Sequence, residues 1–172
     1  GSEEEAVVSL VMLINEQQPA ISHFFCHQHK PHLVWVEDWM QHPNGADGIV
    51  RVTYVASNPA SLRERFAGIY GDAAISQFEW GLEVQTDRGC FEILSPVYVH
   101  QRFHGVQLDL PNQSLPTGVA IRVTSKDMAA ARAVLEANDV AHILTRDGGL
   151  RIPPSYAGNT IIEIYPHAET QP

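Results

Sequence analysis

Short apolar segments separated by turns run along the chain, which is typical of a protein built mainly from β-strands. The first two segments, residues 6–14 and 21–27, flank a polar stretch of turn-forming residues. Two such segments with a short polar connection predict a β-hairpin. Residues 30–48, which follow, contain Trp35 and Trp39 but no regular period, and we expect an irregular junction there.

A strand, a helix and three more strands are predicted for residues 49–94. Residues 49–56 alternate as a half-buried strand does. Asn58-Pro59 favours the start of a helix, and Gly71 favours its end. Three short segments of strand composition then lead to the run Cys90-Phe-Glu-Ile-Leu-Ser-Pro.

The same order of elements returns after a connector at residues 97–117. A strand is predicted from Gly118 to Thr124, and Ser125 is predicted to cap a helix. Three short strands complete the second unit, at residues 141–145, 150–152 and 160–165. Because an internal repeat constrains a fold more than any single propensity does, we expect an α+β protein with two paired βαβββ modules in one curved sheet.

Composition adds limits on partner and location. The 172 residues include 20 acidic and 11 basic side chains, for a net charge of −9, and 44% are hydrophobic. These proportions are globular, and without a basic cluster we expect no nucleic acid partner. No apolar run is long enough for a membrane span, so no membrane partner is expected either. Two cysteines, Cys26 and Cys90, are too few for a disulfide framework and favour a cytoplasmic setting.

The repeated units resemble the vicinal oxygen chelate superfamily, which includes glyoxalase I, extradiol dioxygenases and bleomycin-resistance proteins. The likeness rests on Arg51-Val-Thr-Tyr-Val with Cys90-Phe-Glu-Ile-Leu-Ser-Pro, and on Gly118-Val-Ala-Ile-Arg-Val with Ile161-Ile-Glu-Ile-Tyr-Pro. The resemblance implies a concave ligand site between two modules, with helices outside.

The resemblance also implies how the chain is divided. Residues 1–48 would be a hairpin and junction left from a preceding module, 49–117 the first module with its connector, and 118–172 the second module with a tail. A hairpin with an unpaired edge invites strand pairing, so we expect it to meet either a missing N-terminal module or a second copy in a homodimer.

In such a family, metal ligands come from the first and last strands of each module, typically His and then Glu. The last-strand positions fall on Glu92 and Glu163, which makes them candidate metal ligands and candidate catalytic bases. The first-strand positions fall on Arg51 and on Gly118 or Val119, and none of these binds a metal well. The usual histidines are not found, so the cofactor is unknown and a divalent metal has an incomplete site.

Strand alternation places Arg51 and Thr53 on one face, and the matching face of the second module carries Arg122. With Glu92 and Glu163, these residues predict either of two structures. One is an anion-binding cavity in which guanidinium groups hold a substrate carboxylate and a glutamate acts as base. The other is a set of internal Arg–Glu pairs that only neutralise each other.

Histidines form a second candidate site. In an extended strand His23, His27 and His29 share a face, and His32 follows closely. Imidazoles suit zinc or iron, and Glu37 or His42 would complete the set of ligands. The spacing matches no known zinc signature, and a polar rim of strand and loop explains the same residues.

The function these features predict is that of a glyoxalase-like protein binding a small oxygen-rich or carboxylated metabolite, as a lyase, isomerase or dioxygenase. Two alternatives stay open: a sequestering small-molecule binder without catalysis, and the structural half of a larger enzyme. Whether the protein is an enzyme is undecided by the sequence, since a fold does not fix a function.

Overall fold

The computed structural model describes residues 4–110 and 115–167. The chain divides into two compact units, with the boundary between His42 and Pro43. Within the described ranges, none of the helices has the length and apolar character required to cross a bilayer.

The first unit is built around the predicted hairpin. Strands β1 (Val8–Leu13) and β2 (His23–Gln28) pair in antiparallel fashion over their full length. Short 3-10 helices follow at Pro31–Leu33 and Glu37–Met40. Large apolar side chains are exposed on both strands and in the junction, among them Met12 at 63%, Phe24 at 66% and Trp39 at 74%. The predicted pairing of this hairpin with a second copy or an earlier module stays a prediction.

In its described residues, the second unit is an eight-stranded sheet with three α-helices. Its helices are α1 (Arg63–Tyr70), α2 (Val99–Arg102) and α3 (Met128–Ala137). Its strands are β3 (Ala46–Val55), β4 (Ile75–Phe78), β5 (Gly81–Thr86), β6 (Gly89–Leu94), β7 (Thr117–Ser125), β8 (Ile143–Leu144), β9 (Leu150–Ile152) and β10 (Ile161–Pro166).

The strand order confirms the predicted repeat. The sheet runs β4-β5-β6-β3-β7-β10-β9-β8, so each half repeats the other in reverse. Within each half the first and last strands of the module are parallel, β3 with β6 and β7 with β10. The two halves join where β3 and β7 pair in antiparallel fashion. We call this β3–β7 junction the seam.

The two long helices cover one face of the sheet. Phe66 of α1 is fully buried and its ring lies 6.0 Å from that of Phe91 on β6. Ala131 and Leu135 of α3 pack in one cluster with Leu150 of β9 and other strand residues. Along each strand, the residues that contact the helices are every second one. The residues between them, which include Thr53, Glu92 and Glu163, therefore face the other side of the sheet, which we call the inner face.

The connector between the modules covers one end of the inner face. Phe103, just after α2, is 1% exposed and belongs to an apolar cluster with Val55 and Ile161. This cluster anchors α2 against the sheet through Val99 as well. As a result the last residue of α2, Arg102, is held beside the charged part of the inner face.

One predicted detail is wrong. The helix after β7 is capped by Asp127, whose side chain accepts a hydrogen bond from the backbone N–H of Ala130. Strand β7 continues to Ser125, and the Ser125 hydroxyl donates to the carbonyl of Asn44 at 2.8 Å. Ser125 is thus the end of a strand, and the cap falls two residues later.

Candidate functional site

Two equivalent sets of three side chains lie on the inner face, one in each module. In the first module, Glu92 stands in register between Glu83 of β5 and Thr53 of β3. In the second module, Glu163 stands between Arg151 of β9 and Arg122 of β7. We call Glu83, Glu92 and Thr53 the first triplet, and Arg151, Glu163 and Arg122 the second triplet.

Glu163 is the most heavily paired carboxylate of the site. It is 1% exposed, and Arg151 donates two hydrogen bonds to its Oε1 at 2.9 and 3.1 Å. Arg122 donates two to its Oε2 at 2.9 and 3.0 Å. Burial alone would raise the pKa of Glu163, but the hydrogen bonds and charges of the surrounding arginines outweigh it and lower the pKa to about 2. Glu163 therefore stays ionised at any physiological pH.

Glu92 is paired with fewer cations. It is 4% exposed, its Oε1 accepts from Arg51 at 3.0 Å, and its Oε2 accepts from the Thr53 hydroxyl at 2.8 Å. The same Arg51 nitrogen also lies 3.1 Å from Glu83. The first triplet thus holds two carboxylates and no cation of its own, and it depends on Arg51 from the seam.

Arg102 joins the two triplets. Its Nε donates to both oxygens of Glu92 at 3.1 and 3.2 Å, while Nη1 and Nη2 donate to the two oxygens of Glu163 at 3.1 and 2.9 Å. Burial would lower the pKa of Arg102, but its bonds to Glu163 and the charge of Glu92 raise the pKa above its ordinary value. The guanidinium is therefore a permanent cation between the two glutamates.

The residues present do not fit the divalent metal that the sequence resemblance implies. Both oxygens of Glu92 and both oxygens of Glu163 already accept hydrogen bonds from arginine or threonine. Among residues 4–110 and 115–167, neither glutamate belongs to a group of three His, Cys, Asp or Glu side chains that could hold a metal ion. The oxygens that would bind a metal are therefore already occupied by hydrogen-bond donors.

A cavity of about 800 Å³ opens above this cluster. A volume of this size suits a small organic ligand. Five arginines line it, namely the four that bind the glutamates and Arg146, and Asp147 follows Arg146 in the lining. The lining residues are Arg51, Gln101, Arg102, His104, Arg122, Ile143, Leu144, Thr145, Arg146, Asp147, Arg151 and Tyr165.

The arginines differ in how much hydrogen-bonding capacity they have left. All three guanidinium nitrogens of Arg102 donate to the glutamates. The third guanidinium nitrogen of Arg151, Nη1, donates to the carbonyl of His104. In the described part of the chain, Nη1 of Arg122 and both Nε and Nη2 of Arg51 make no hydrogen bond. Arg51 and Arg122 are register partners across the seam. Their remaining donors are thus available to a ligand.

Tyr165 fixes the orientation of Arg122. The Arg122 guanidinium carbon lies 3.8 Å from the centre of the Tyr165 ring, which is a cation–π contact. The Tyr165 hydroxyl donates to Asp147 at 3.0 Å. Gly149 makes room for this arrangement, because a Cβ atom there would lie 2.5 Å from the tyrosine ring. The β8–β9 loop and the floor of the cavity are therefore packed together.

Every inner-face residue singled out in the sequence lies in this cluster, but the roles differ. Arg51 and Arg122 face the cavity. Thr53 is 1% exposed and its hydroxyl is committed to Glu92. Glu92 and Glu163 lie beneath the arginines that they bind. Either glutamate could therefore act as a base only after a hydrogen bond to an arginine is broken. Their catalytic role stays a prediction.

The histidines predicted as a metal site lie in the hairpin and the junction after it. The rings of His27 and His29 stack with their centres 4.6 Å apart. His29 Nε2 lies 2.8 Å from the Ser9 hydroxyl, and His32 Nε2 lies 3.3 Å from Glu4. The histidine metal site stays a prediction.

Three arginines of the cavity were missed in the sequence. Arg102 lies in a connector without periodicity, and Arg146 lies in a turn, so neither carries a pattern. Arg151 does belong to a recognisable pattern, because it is a charged residue between Leu150 and Ile152 in a predicted strand. Alternation places it on the face opposite two buried apolar residues, and that face is the inner one.

Comparisons with known proteins identify the fold. No family model matches the sequence, and no curated protein is similar to it. Among solved structures, a methylmalonyl-CoA epimerase from Mycobacterium tuberculosis aligns with a TM-score of 0.50 at 15% identity, over 76% of this chain and 95% of that one. A hypothetical protein from Bacillus halodurans gives 0.48 at 11% identity, over 73% and 97%.

A third solved structure is similar in the same way. It is a Streptomyces coelicolor methylmalonyl-CoA epimerase in complex with 2-nitronate-propionyl-CoA, with a TM-score of 0.44 at 16% identity, over 70% of this chain and 96% of that one. The likeness to the Mycobacterium tuberculosis epimerase shows the class of fold, which is the paired βαβββ sheet that the sequence predicted.

Proposed function

We propose that this protein binds a small carboxylated metabolite between Arg51 and Arg122 at the seam. The observation that carries this proposal is the set of unused guanidinium donors on these two residues, which face a cavity of suitable size. Arginine binds carboxylates by two parallel hydrogen bonds, so unused donors on neighbouring arginines favour an anion.

The local charge supports the same ligand. Arg51, Arg102, Arg122 and Arg151 contact three carboxylates, Glu83, Glu92 and Glu163, which leaves one positive charge in excess. This excess arises in a chain whose net charge is −9. A cationic cavity in an acidic protein attracts small anions by its local field, since exposed charges farther than a Debye length away are largely screened.

The cavity also has an apolar side. Ile143 and Leu144 line it, and Ile143 is the register partner of Arg151 on the neighbouring strand. A ligand with a carboxylate at one end and a short carbon chain at the other would use both. We therefore place small carboxylic acids ahead of inorganic anions as ligands.

Calorimetric titration with malonate, succinate and inorganic phosphate tests this function. Wild-type protein is expected to bind a carboxylate, and Arg122→Gln to weaken that binding by about tenfold, as loss of a charged hydrogen-bonding pair does. Arg132→Gln is the matched control, because Arg132 is 59% exposed on α3 and pairs with Glu136 outside the cavity. Equal weakening by both substitutions, or no binding by the wild type, would contradict the proposal.

An isomerase or lyase that acts on the bound acid is the enzymatic form of this proposal. It is supported by the position of Glu92 beside the seam, within reach of the arginine that would hold the substrate carboxylate. Proton abstraction next to a carboxylate exchanges that proton with solvent, so nuclear magnetic resonance in deuterium oxide would show loss of the substrate signal. Glu92→Gln should abolish the exchange and preserve binding. A protein that binds the acid without exchange is a sequestering binder.

A further inference from the structure

We propose that the Arg102 guanidinium takes the position of a metal ion between Glu92 and Glu163, so that the chain supplies its own cation to the site. The ligand-binding part of this inference rests on the proposed function, whereas the replacement of a metal by Arg102 does not. Arg102 acts through the two glutamates and is therefore a positioning residue.

The first support is geometric. One guanidinium makes four hydrogen bonds to two carboxylates that belong to different modules. Its contact with Glu163 is bidentate, at 3.1 and 2.9 Å, which is the strongest arrangement for an arginine–carboxylate pair. A side chain placed in this way bridges the two halves of the sheet as a shared metal ion would.

The second support is the way in which Arg102 is held. Helix α2 is anchored by Val99 and Phe103, which are 3% and 1% exposed in the apolar cluster of the inner face. The guanidinium carbon lies 4.6 Å from the centre of the Phe103 ring. The cation is thus built into the packing of the connector, and it cannot exchange with solvent as a bound ion does.

The third support is the consequence for Arg51 and Arg122. Without Arg102, each glutamate would need more hydrogen bonds from its remaining arginine partners. Because Arg102 satisfies part of both carboxylates, Arg51 and Arg122 keep donors that are not bonded to the glutamates, and both residues line the cavity. Arg102 therefore influences the anion affinity of the site through the two glutamates, to which all three of its guanidinium nitrogens are bonded.

Chemical rescue tests this proposal. In Arg102→Ala the missing group leaves a space that free guanidinium ion can fill. Tens of millimolar guanidinium chloride should raise the melting temperature of Arg102→Ala, whereas it slightly lowers that of the wild type, as a denaturant does. Sodium chloride at equal ionic strength, and Arg132→Ala with guanidinium, are the controls. The melting temperature is measured without any ligand, so this result stands even if no carboxylate binds.

Two further measurements complete the test. Titration of the wild type with manganese, cobalt and zinc should show no stoichiometric binding that depends on Glu92. If Arg102→Ala does not fold, Arg102→Lys takes its place in the test. Lysine keeps the positive charge but lacks the planar guanidinium that bonds to both glutamates, so this variant should bind malonate about tenfold more weakly than the wild type. A wild-type metal site lost in Glu92→Gln, the absence of guanidinium rescue in a folded Arg102→Ala, or full malonate affinity in Arg102→Lys would each overturn the proposal.

Discussion

The two modules have the same strands in the same order, yet their inner faces carry opposite charge. The first triplet contains Glu83, Glu92 and Thr53, whereas the equivalent positions of the second triplet contain Arg151, Glu163 and Arg122. A duplicated backbone therefore determines where side chains meet, but not what they do. Each triplet is incomplete alone: the first lacks cations and the second has too many.

Arg102 and Arg51 make the two triplets into one network. Arg102 bonds to the glutamate of each triplet, and Arg51 bonds to Glu92 while lying in register with Arg122. Because the network crosses the seam, we expect the two modules to unfold together and to respond differently when either glutamate is removed.

The largest effect is expected from Glu163→Gln. It leaves Arg102, Arg122 and Arg151 without their shared carboxylate, and Arg151 is 7% exposed. Loss of one partner from a buried ion pair costs about 3–5 kcal/mol, so the free energy of unfolding should fall by that amount in urea titrations. Glu136→Gln, a change on the exposed face of α3, should cost less than about 0.5 kcal/mol. A similar small loss for both would show that the second triplet contributes nothing.

Acid should act on the second triplet in a defined pH window. The pKa of Glu163 is about 2 in the folded protein, against an ordinary value of 4.5. A lowered carboxyl pKa stabilises the folded state above the unfolded pKa, and this stability is lost as pH falls through the folded pKa. Between about pH 4.5 and 2 the wild type should lose about 3 kcal/mol more than Glu163→Gln does. Parallel curves for the two proteins would refute this assignment.

A smaller effect is expected from Glu92→Gln. Its arginine partners keep other carboxylates, since Arg51 lies 3.1 Å from Glu83 and Arg102 still contacts Glu163. The loss should be about 2 kcal/mol, the value for hydrogen bonds to charged groups. Urea titration of both variants gives the comparison directly. If Glu92→Gln is the more damaging of the two, the proposed difference between the triplets is wrong.

The smallest effect is expected from Glu83→Gln. This change removes a carboxylate from Arg51 at a partly exposed position and raises the positive excess of the cavity. Malonate affinity should increase by about threefold, with little change in stability, as for other exposed charges. Calorimetry at low and high salt measures it. An affinity that stays the same or falls would mean that Arg51 does not reach the ligand.

The sequence predicted the positions of the glutamates better than their surroundings. Glu92 and Glu163 follow from two matching strands, and alternation places Arg51 and Arg122 on the same face as these glutamates. Register across strands that are distant in sequence cannot be derived from periodicity. The sequence therefore left open whether these arginines would be free or paired. In the structure, each of the two guanidinium groups bonds to a glutamate through some of its nitrogens and keeps another nitrogen unbonded.

Arg102 shows the limit of sequence reasoning more clearly. Its helix has four residues, too few for any helical period to be recognised. It is placed by the burial of Val99 and Phe103 against both modules, which is a property of the folded sheet and not of the connector itself. Local patterns carry no information about such a contact.

The reversed strand order of the two halves has a consequence for how this protein could have arisen. Two copies of the first module would bring together four carboxylates with two arginines at the seam, and two copies of the second would bring together four arginines with two carboxylates. Both symmetric pairs would carry like charges in excess at their centre. The different residues at equivalent positions of the two halves remove that symmetry, so neither half could be replaced by a copy of the other without an excess of one charge.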